Sequence, residues 1–497
     1  MGVVTWLFVG AVVLLLWVYS RWCHSYWSSR GIVSPPALPI FGHAQQFFGS
    51  QRWLYVDKFY RKYRDHKVWG LYEFLTPVLF VSDPDLLKHF MVKDFDHFVD
   101  RRSFGDQPGS IMSAMVTNKY GEEWKDLRGL MSPTFSSGKM RGMFHLICEK
   151  ADCLVSFCLK KGVNNRPVDM KDMFGRFTMD TIASCAFGIE CNSFSDTKPI
   201  FSEKAKAFFT FQGVRMLRLG LMLMKPKLFN ALGLKADTPE VEFFAKICKE
   251  NTAVREKGQK KRGDFLDLLL EARDAEERLH PGKKVFADNT VVAQSVLFLM
   301  AGYDTTATTL AFAGRIMARH PEYQQRLRHE MQELVKEHGS ITYQGVMEAK
   351  FLDAFLMETL RLYPPGTIGD RKCTKEYKVP GTDLVLKPGD MINFSIWSLH
   401  HDPEYWPDPE EFKPERFLPE NRDQIKSFTH MPFGMGPRNC LAMRFALMEA
   451  KVALAHLILA VDLKLAPGNE EMTFENSPIL LRPSGGVTML LTPLKED

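Results

Sequence analysis

The sequence predicts a mainly α protein with a small β-rich lobe, carried on an N-terminal single-pass membrane anchor. Residues 3–19 (V-V-T-W-L-F-V-G-A-V-V-L-L-L-W-V-Y) form an uncharged apolar run, close to the roughly 20 residues a helix needs to cross a bilayer. Behind it, 53–64, 173–188, 289–320, 351–362 and the stretch from Leu441 onward read as helices by apolar spacing and content. Short apolar runs at 78–81, 379–396 and 479–491 read as strands, the last two broken by Pro-Gly or Gly-Gly turns.

Composition narrows the class. The 497 residues are 45% hydrophobic and 25% charged, a globular balance with ample length for a large core. A net charge of +5 without a basic tail gives no footing for nucleic acid. Nine cysteines are scattered with no C-x-x-C, which argues against a disulfide framework or a zinc site and for a reducing compartment.

The anchor is expected over 1–22. Trp17, Tyr19, Trp22, Tyr26 and Trp27 follow as an aromatic belt, and Arg21 and Arg30 lie beyond the run with no Lys or Arg before it. That asymmetry places the main body in the cytosol. A cleaved signal peptide fits less well, because the n-region lacks a positive charge and no small-x-small cleavage site follows. Residues 23–42 form a linker whose stretch 32–42 (I-V-S-P-P-A-L-P-I-F-G) is stiffened by three prolines. The globular body is expected over 43–497.

Within that domain, 103–118 reads as a long loop with isolated apolar residues, among them Ile111 and Met112. Trp124 and Arg128 share a helix face at i, i+4. Residues 208–234 mix Phe, Leu and Met with lysines, as a segment dipping into a membrane interface does, with a core segment as the alternative, and 255–263 reads as a solvated basic loop. The long helix at 289–320 contains A-G-Y-D-T-T at 301–306. Ala301 and Gly302 leave room for a flat ligand. A Thr305 hydroxyl bonded to the Ala301 carbonyl bends the helix and admits water, and Asp304 beside it makes a proton-delivery pair. A plain kinked core helix reads the same way. Glu358 and Arg361, at i, i+3 among apolar neighbours, need a third partner if buried, and Arg416 in P-E-R-F is available.

The stretch M-P-F-G-M-G-P-R-N-C-L-A-M-R-F-A-L-M-E-A-K-V-A at 431–453 sets Cys440 between a Gly/Pro-rich loop and a helix. A helix N-terminus favours a thiolate, and a thiolate in a preformed loop is a metal ligand or a nucleophile. A buried, inert cysteine is the plain alternative.

Phe433-x-x-Gly436-x-Arg438-x-Cys440-x-Ala442 resembles the haem-binding signature of the cytochrome P450 superfamily, with Ala442 where that signature has Gly. W-x-x-x-R, A-G-x-D-T, E-x-x-R and P-E-R-F in this order extend the resemblance over residues 31 to 495. It is nearest to the microsomal clan of thromboxane synthase, hepatic drug-metabolising and insect detoxifying enzymes. The resemblance implies the cytochrome P450 fold and haem b ligated by Cys440, with Phe433 at the cofactor. It implies Trp124, Arg128, Arg371 and Arg438 on the propionates, Thr305 and Asp304 as the catalytic proton relay, and Glu358, Arg361 and Arg416 as a structural triad. Ile111, Met112, Phe298, Met300, Ala301, Thr367 and Ile368 become pocket walls by motif position.

The implied reaction is monooxygenation of a lipophilic xenobiotic, steroid or fatty acid with O₂. Electrons come from NADPH through a membrane-bound reductase, with cytochrome b5 as an optional second partner. Lys125, Lys139, Arg444 and Lys451 offer a basic docking face. The implied location is the endoplasmic reticulum membrane, in contact with lipid and not with nucleic acid. A haem-thiolate isomerase or dehydratase of lipid peroxides is the alternative, and a non-catalytic haem or sterol binder the remote one.

Overall fold

The computed structural model describes residues 2–44, 51–103, 107–195, 199–258, 262–279 and 288–494. Parts of the expected 103–118 and 255–263 loops therefore lie outside the described residues.

Helix α1 (Gly2–Cys23) is exposed along its apolar length, with only Ser20 buried. Among the described residues, two helices are long and apolar enough to cross a membrane. The N-terminal one is unburied in its apolar window, and Asn289–Arg319 is 78% buried, which makes the second a core helix. Trp17, Tyr19 and Trp22 are exposed near the end of α1, but Trp27 is not a belt residue. Its ring is 2% exposed and fills the space over Gly70, where a Cβ would stand 2.2 Å from Trp27 Cδ1. The 32–42 segment does not stand free either. Gly70 N–H donates to the Val33 carbonyl at 2.8 Å, and bridges join Leu38 to Gly42 and Gly42 to Glu73.

Helix α2 (Arg52–Tyr63) leads into β1 (Val68–Glu73) and β2 (Thr76–Val81). β1 has no expected counterpart in the sequence reading. Helix α3 (Gly121–Met131) carries Trp124 and Arg128, and α4 (Ser137–Lys161) and strand β3 (Val168–Asp169) follow. Helix α5 (Met170–Phe187) is buried over most of its length and is stopped by Gly188 at φ 59, a left-handed C-cap. Helices α6 (Val214–Met224) and α7 (Pro226–Ala231) turn Leu219, Met222 and Phe229 inward. They leave Val214 80%, Leu217 61% and Leu228 50% exposed.

The long helix α8 (Asp288–Arg319) crosses the molecule against α5, and α9 (Lys350–Leu362) packs beside it. Strands β4 (Ile368–Lys372) and β5 (Met391–Ser395) complete a four-stranded sheet in the order β1-β2-β5-β4, antiparallel except for β2 with β5. Helix α10 (Met443–Ala460) runs into β6 (Val461–Leu465), which pairs with β7 (Thr488–Pro493), and β7 pairs with β3. One core gathers the helices and another lies around the larger sheet; the candidate site opens between them.

Two loop expectations need correction. The described part of 103–118 contains a helical turn at Ile111–Ala114 and a 3₁₀ turn at Val116–Asn118. Both are pinned from far along the chain. The Asp237 carboxylate accepts from the Ile111 and Met112 amides, and the Gln294 amide bonds Val116 N–H and the Ala114 carbonyl. Arg255 is not solvated. Its side chain is 7% exposed and pairs with Asp264 at 2.6 Å and Asp267 at 2.8 Å.

Candidate functional site

A cavity of about 460 Å³ lies between α8, α3, β4 and the 432–442 loop, with Cys440 on its wall. The loop is built by its own backbone. Gly434 N–H donates to Met431, Asn439 N–H to Gly436 at 3.0 Å, and Cys440 N–H to Phe433 at 2.8 Å. Gly436 sits at φ 72, where a Cβ would meet the Met91 carbonyl oxygen at 1.9 Å; only glycine fits.

Cys440 is accessible, and what it faces is the cavity. Burial pushes its thiol pKa up, against the Ala442 amide hydrogen bond and the nearby Arg128 and Arg101. As expected, Cys440 stands just before a helix N-terminus, α10 beginning at Met443; the enclosing cavity wall opposes the thiolate there. A coordinating metal reverses this balance, because it deprotonates a thiol outright.

Four guanidiniums converge at one end of the cavity. Arg438 is 4% exposed, donates to the Val99 and Lys119 carbonyls at 2.8 Å each and lies 3.9 Å over the Trp124 ring. Arg101 donates to the Arg438 carbonyl at 2.8 Å. Arg128 grips the Asn439 carbonyl and side-chain oxygens at 2.9 and 2.6 Å. Arg371 is fully buried behind them against the Asp370 and Met435 carbonyls. The Nε groups of Arg101 and Arg371 have no hydrogen-bond partner. Burial, then mutual repulsion, lowers Arg438 to about 9, and burial lowers Arg128, Arg101 and Arg371 as well.

Buried cations in this number need anionic partners. Those present are Asp100, 4.0 Å from Arg438, and Asp370. A flat apolar ligand carrying two carboxylates and a metal for Cys440 matches the donor set, the orphaned nitrogens and the apolar walls. Haem fits.

The expected cofactor residues mostly converge. Trp124, Arg128, Phe433, Arg438 and Cys440 line the cavity, and Arg371 stands one layer behind. Arg101 was not foreseen. Nothing local separates it from Arg102, which instead binds Glu73 at 2.6 Å. Ala442 lines the cavity. So does Gly302, but the space beside its Cα belongs to Ile182, whose Cδ1 would stand 2.1 Å from an added Cβ. Gly302 thus serves helix packing against α5 as well as ligand room.

On α8, Thr305 donates its hydroxyl to the Ala301 carbonyl at 2.7 Å and Thr309 repeats the bond to Thr305 at 2.9 Å, two back-bonds of the kind that bend a helix. Asp304 does not join Thr305 at the cavity. Successive helix residues diverge by roughly 100°, and Asp304 turns inward, 1% exposed, to pair with Lys171 at 2.9 Å and Arg482 at 3.1 Å. Its placement as a proton donor facing the site is corrected accordingly.

Of the pocket candidates, Phe298, Ala301 and Ile368 line the cavity. Ile111, Met112, Met300 and Thr367 do not: the first two are held at Asp237, Met300 packs in the core, and the Thr367 carbonyl accepts from Trp397. Ile182, Phe394 and Leu480, unforeseen, take wall positions.

Glu358 and Arg361 are fully buried, bonded at 2.7 and 2.8 Å, with Arg416 at 3.5 Å and the Lys413 amide at 2.9 Å on the same carboxylate. Of the basic-face residues, Lys139 and Arg444 are exposed and Lys125 pairs with Glu122 at 2.9 Å. Lys451 is removed from that face: it is 2% exposed and bound to Asp353 at 2.9 Å.

Glu449 also lines the cavity. It is fully buried, and burial pushes its carboxyl pKa well above the usual range, with the neighbouring Thr306 hydroxyl opposing.

Two outcomes follow for these residues. Arg101→Leu is expected to speed haem loss to an acceptor protein roughly tenfold to a hundredfold, the equivalent of the ~1.5–3 kcal/mol of a hydrogen bond to a charged group; an unchanged rate would remove Arg101 from the cradle. Because the folded pKa of Glu449 is raised, its contribution is present below the unfolded carboxyl pKa and is lost as pH rises toward the folded value. Thermal melts of Glu449→Gln against the parent should therefore show a Tm advantage that grows with pH above about 4.3. A pH-independent difference would mean that Glu449 is already ionised.

The model of the cytochrome P450 family matches residues 33–491. Cytochrome P450 9e2 of Blattella germanica is 35% identical over 491 residues, covering 93% of this chain and 92% of that protein. Cytochrome P450 3A11 of Mus musculus is 37% identical over 461 residues, 91% and 90% of the two chains, and cytochrome P450 3A5 of Homo sapiens is 35% identical over 464 residues, 92% and 90%. With a cysteine, a set of buried cations and a back-bonded threonine arranged around one apolar cavity, the chain belongs to the cytochrome P450 family of haem-thiolate monooxygenases.

Proposed function

We propose that this chain inserts one atom of O₂ into a lipophilic substrate of xenobiotic or steroid kind, fatty acids included, using electrons from NADPH relayed by a flavoprotein reductase, with cytochrome b5 as an optional second donor. The observation that carries the reading is the single cavity that holds Cys440, the guanidinium cluster and Thr305 together. A haem bound there supplies a redox-active iron whose thiolate ligation favours O–O cleavage.

The chain's own residues supply the rest. Cys440 would supply the thiolate that holds the iron. Trp124, Arg101, Arg128, Arg371 and Arg438 neutralise and orient the carboxylate end. Ile182, Phe298, Ile368, Phe394 and Leu480 make the remaining wall apolar, so the substrate binds by desolvation. Thr305 donates its hydroxyl to the Ala301 carbonyl, which leaves its oxygen lone pairs to accept from and hold a water in the cavity; that water would be the proton source, with Thr305 positioning it. Asp304 acts indirectly in this geometry, by fixing α8 to Lys171 and Arg482. Glu358, Arg361 and Arg416 hold α9 to the 413–416 segment.

The apolar α1 anchors the protein in the endoplasmic reticulum membrane with the catalytic body on the cytosolic side. The exposed apolar residues of α6 and α7 touch the same bilayer and bring lipophilic substrate to the site. Lys139 and Arg444 remain as exposed cations on the face offered to the reductase.

A haem-thiolate isomerase of lipid peroxides dispenses with a proton relay. With Asp304 turned away, the case against that alternative rests on Thr305. Thr305→Ala is expected to lower the ratio of product to NADPH consumed at least several-fold in the reconstituted system and to raise peroxide release, with the haem spectrum unchanged. Coupling at the parent level would refute the proton role. Turnover of a lipid hydroperoxide without NADPH, at a rate indifferent to Thr305→Ala, would favour the isomerase.

A further inference from the structure

Monooxygenation consumes protons inside a largely apolar cavity. For each oxygen atom inserted, the other atom of O₂ leaves as water and takes up two protons. The water held at Thr305 passes on a proton and must then be given another. Asp304, the acid next to Thr305 in sequence, does not serve, because it is bound on the far side of α8 to Lys171 and Arg482. Among the described residues that line the cavity, the acids are Asp370 and Glu449. Asp370 belongs to the guanidinium end, where its side chain accepts from Arg102 N–H at 2.7 Å.

Glu449 is placed differently. It is fully buried in α10, which packs against α8. It shares the cavity wall with Phe445, Ala446 and Ala450 of its own helix and with Thr305 and Thr306 of α8. The Thr306 hydroxyl faces it from α8 and the Cys185 thiol from α5. The basic side chains of α10 are engaged elsewhere. Lys451 binds Asp353 at 2.9 Å, His456 lies 2.8 Å from Asp152, and Arg444 is exposed. Among the described residues no cation pairs with Glu449, and burial therefore favours its acid form. Packing alone is better served there by an apolar side chain, since burying a carboxyl costs stability. An acid form kept by burial is, however, a proton donor. Thr305 and Thr306 are adjacent on α8, so the water site and the acid border the same stretch of helix.

We propose that Glu449 is the proton store of this cavity: its carboxyl reprotonates the water that Thr305 holds, and Thr306 orients the carboxyl for that transfer. In the step the O–H bond of Glu449 breaks, an O–H bond forms on water, and no electron moves. The carboxylate takes a proton back from solvent water before the next cycle. The proposal rests on the reading of the chain as an NADPH-driven monooxygenase.

The test uses the full-length holoenzyme with a flavoprotein reductase and NADPH in phosphatidylcholine vesicles, with testosterone as the lipophilic probe. The first readout is hydrogen peroxide released per NADPH consumed. Glu449→Gln, which keeps the shape and removes the acid, should raise it at least threefold, with the carbon monoxide difference band of the haem unmoved. Glu449→Asp should restore most of the parent's ratio. Turnover driven by cumene hydroperoxide, which needs no added protons, should be the same in Glu449→Gln as in the parent. The second readout needs no turnover: the parent-minus-Glu449→Gln infrared spectrum should contain a carboxylic-acid C=O band that shifts in D₂O. A missing acid band means an ionised Glu449 and overturns the store. Parent-level peroxide release in Glu449→Gln overturns it too, as does equal loss in Glu449→Gln and Glu449→Asp, which would assign the effect to packing. Should Glu449→Gln fail to hold haem, Thr306→Val decides: peroxide release is expected to rise at least twofold, and an unchanged ratio overturns the proposal. A parent that consumes no NADPH with the reductase overturns the monooxygenase reading and the store with it; the other outcomes bear on the store alone.

Discussion

Arg101, Arg128, Arg371 and Arg438 crowd one end of an apolar cavity, and Asp100 and Asp370 do not balance them. Cations in this position repel one another and are short of water, and the lowered pKa values record both costs. The arrangement becomes favourable when a ligand brings its own negative charge. That requirement explains why helix α3, the segment at 99–102, strand β4 and the cysteine loop, four separate parts of the chain, all deliver a guanidinium or a carbonyl to the same place. The fold holds them there through backbone hydrogen bonds, such as Arg438 to the Val99 and Lys119 carbonyls.

The opposite side of the cavity is organised by α8. Its small residues and back-bonded threonines let it bend beside the ligand space, while Asp304 on its far side is locked to Lys171 and Arg482. The helix is thus pinned on the face away from the cavity. Beyond α9, the Glu358–Arg361–Arg416 cluster gives the molecule a stiff back. Glu358 is fully buried but accepts from Arg361 and the Lys413 amide and forms an ion pair with Arg416, so its charge is not left without a partner. Glu449 is the contrast: a buried carboxyl with no cation beside it, whose pKa burial pushes well above the usual range.

Legibility followed the range of the forces involved. The long apolar helices could be read from periodicity, and the cysteine loop from its glycines, because each is a local pattern. The Thr305–Ala301 bond was foreseen for the same reason, since both groups lie within one helical turn. Arg101 was not, because its neighbour Arg102 has the same chemistry and only tertiary placement separates a cavity arginine from one bound to Glu73. Ile182, Phe394 and Leu480 reach the wall from distant elements. Asp304 was misjudged because adjacency in sequence is divergence on a helix. Lys451 lies on a helix buried nearly all round, and Trp27 looks like a membrane-belt aromatic until the Gly70 slot is seen.

The most direct test of the cradle is the difference spectrum of the dithionite-reduced protein with and without carbon monoxide, recorded for the parent and for Cys440→Ser. A strongly red-shifted Soret band, lost in Cys440→Ser, is the result predicted from a thiolate at the cavity wall and a haem held by the guanidinium cluster. A band characteristic of histidine- or thiol-ligated haem in freshly purified, undenatured parent protein would contradict it.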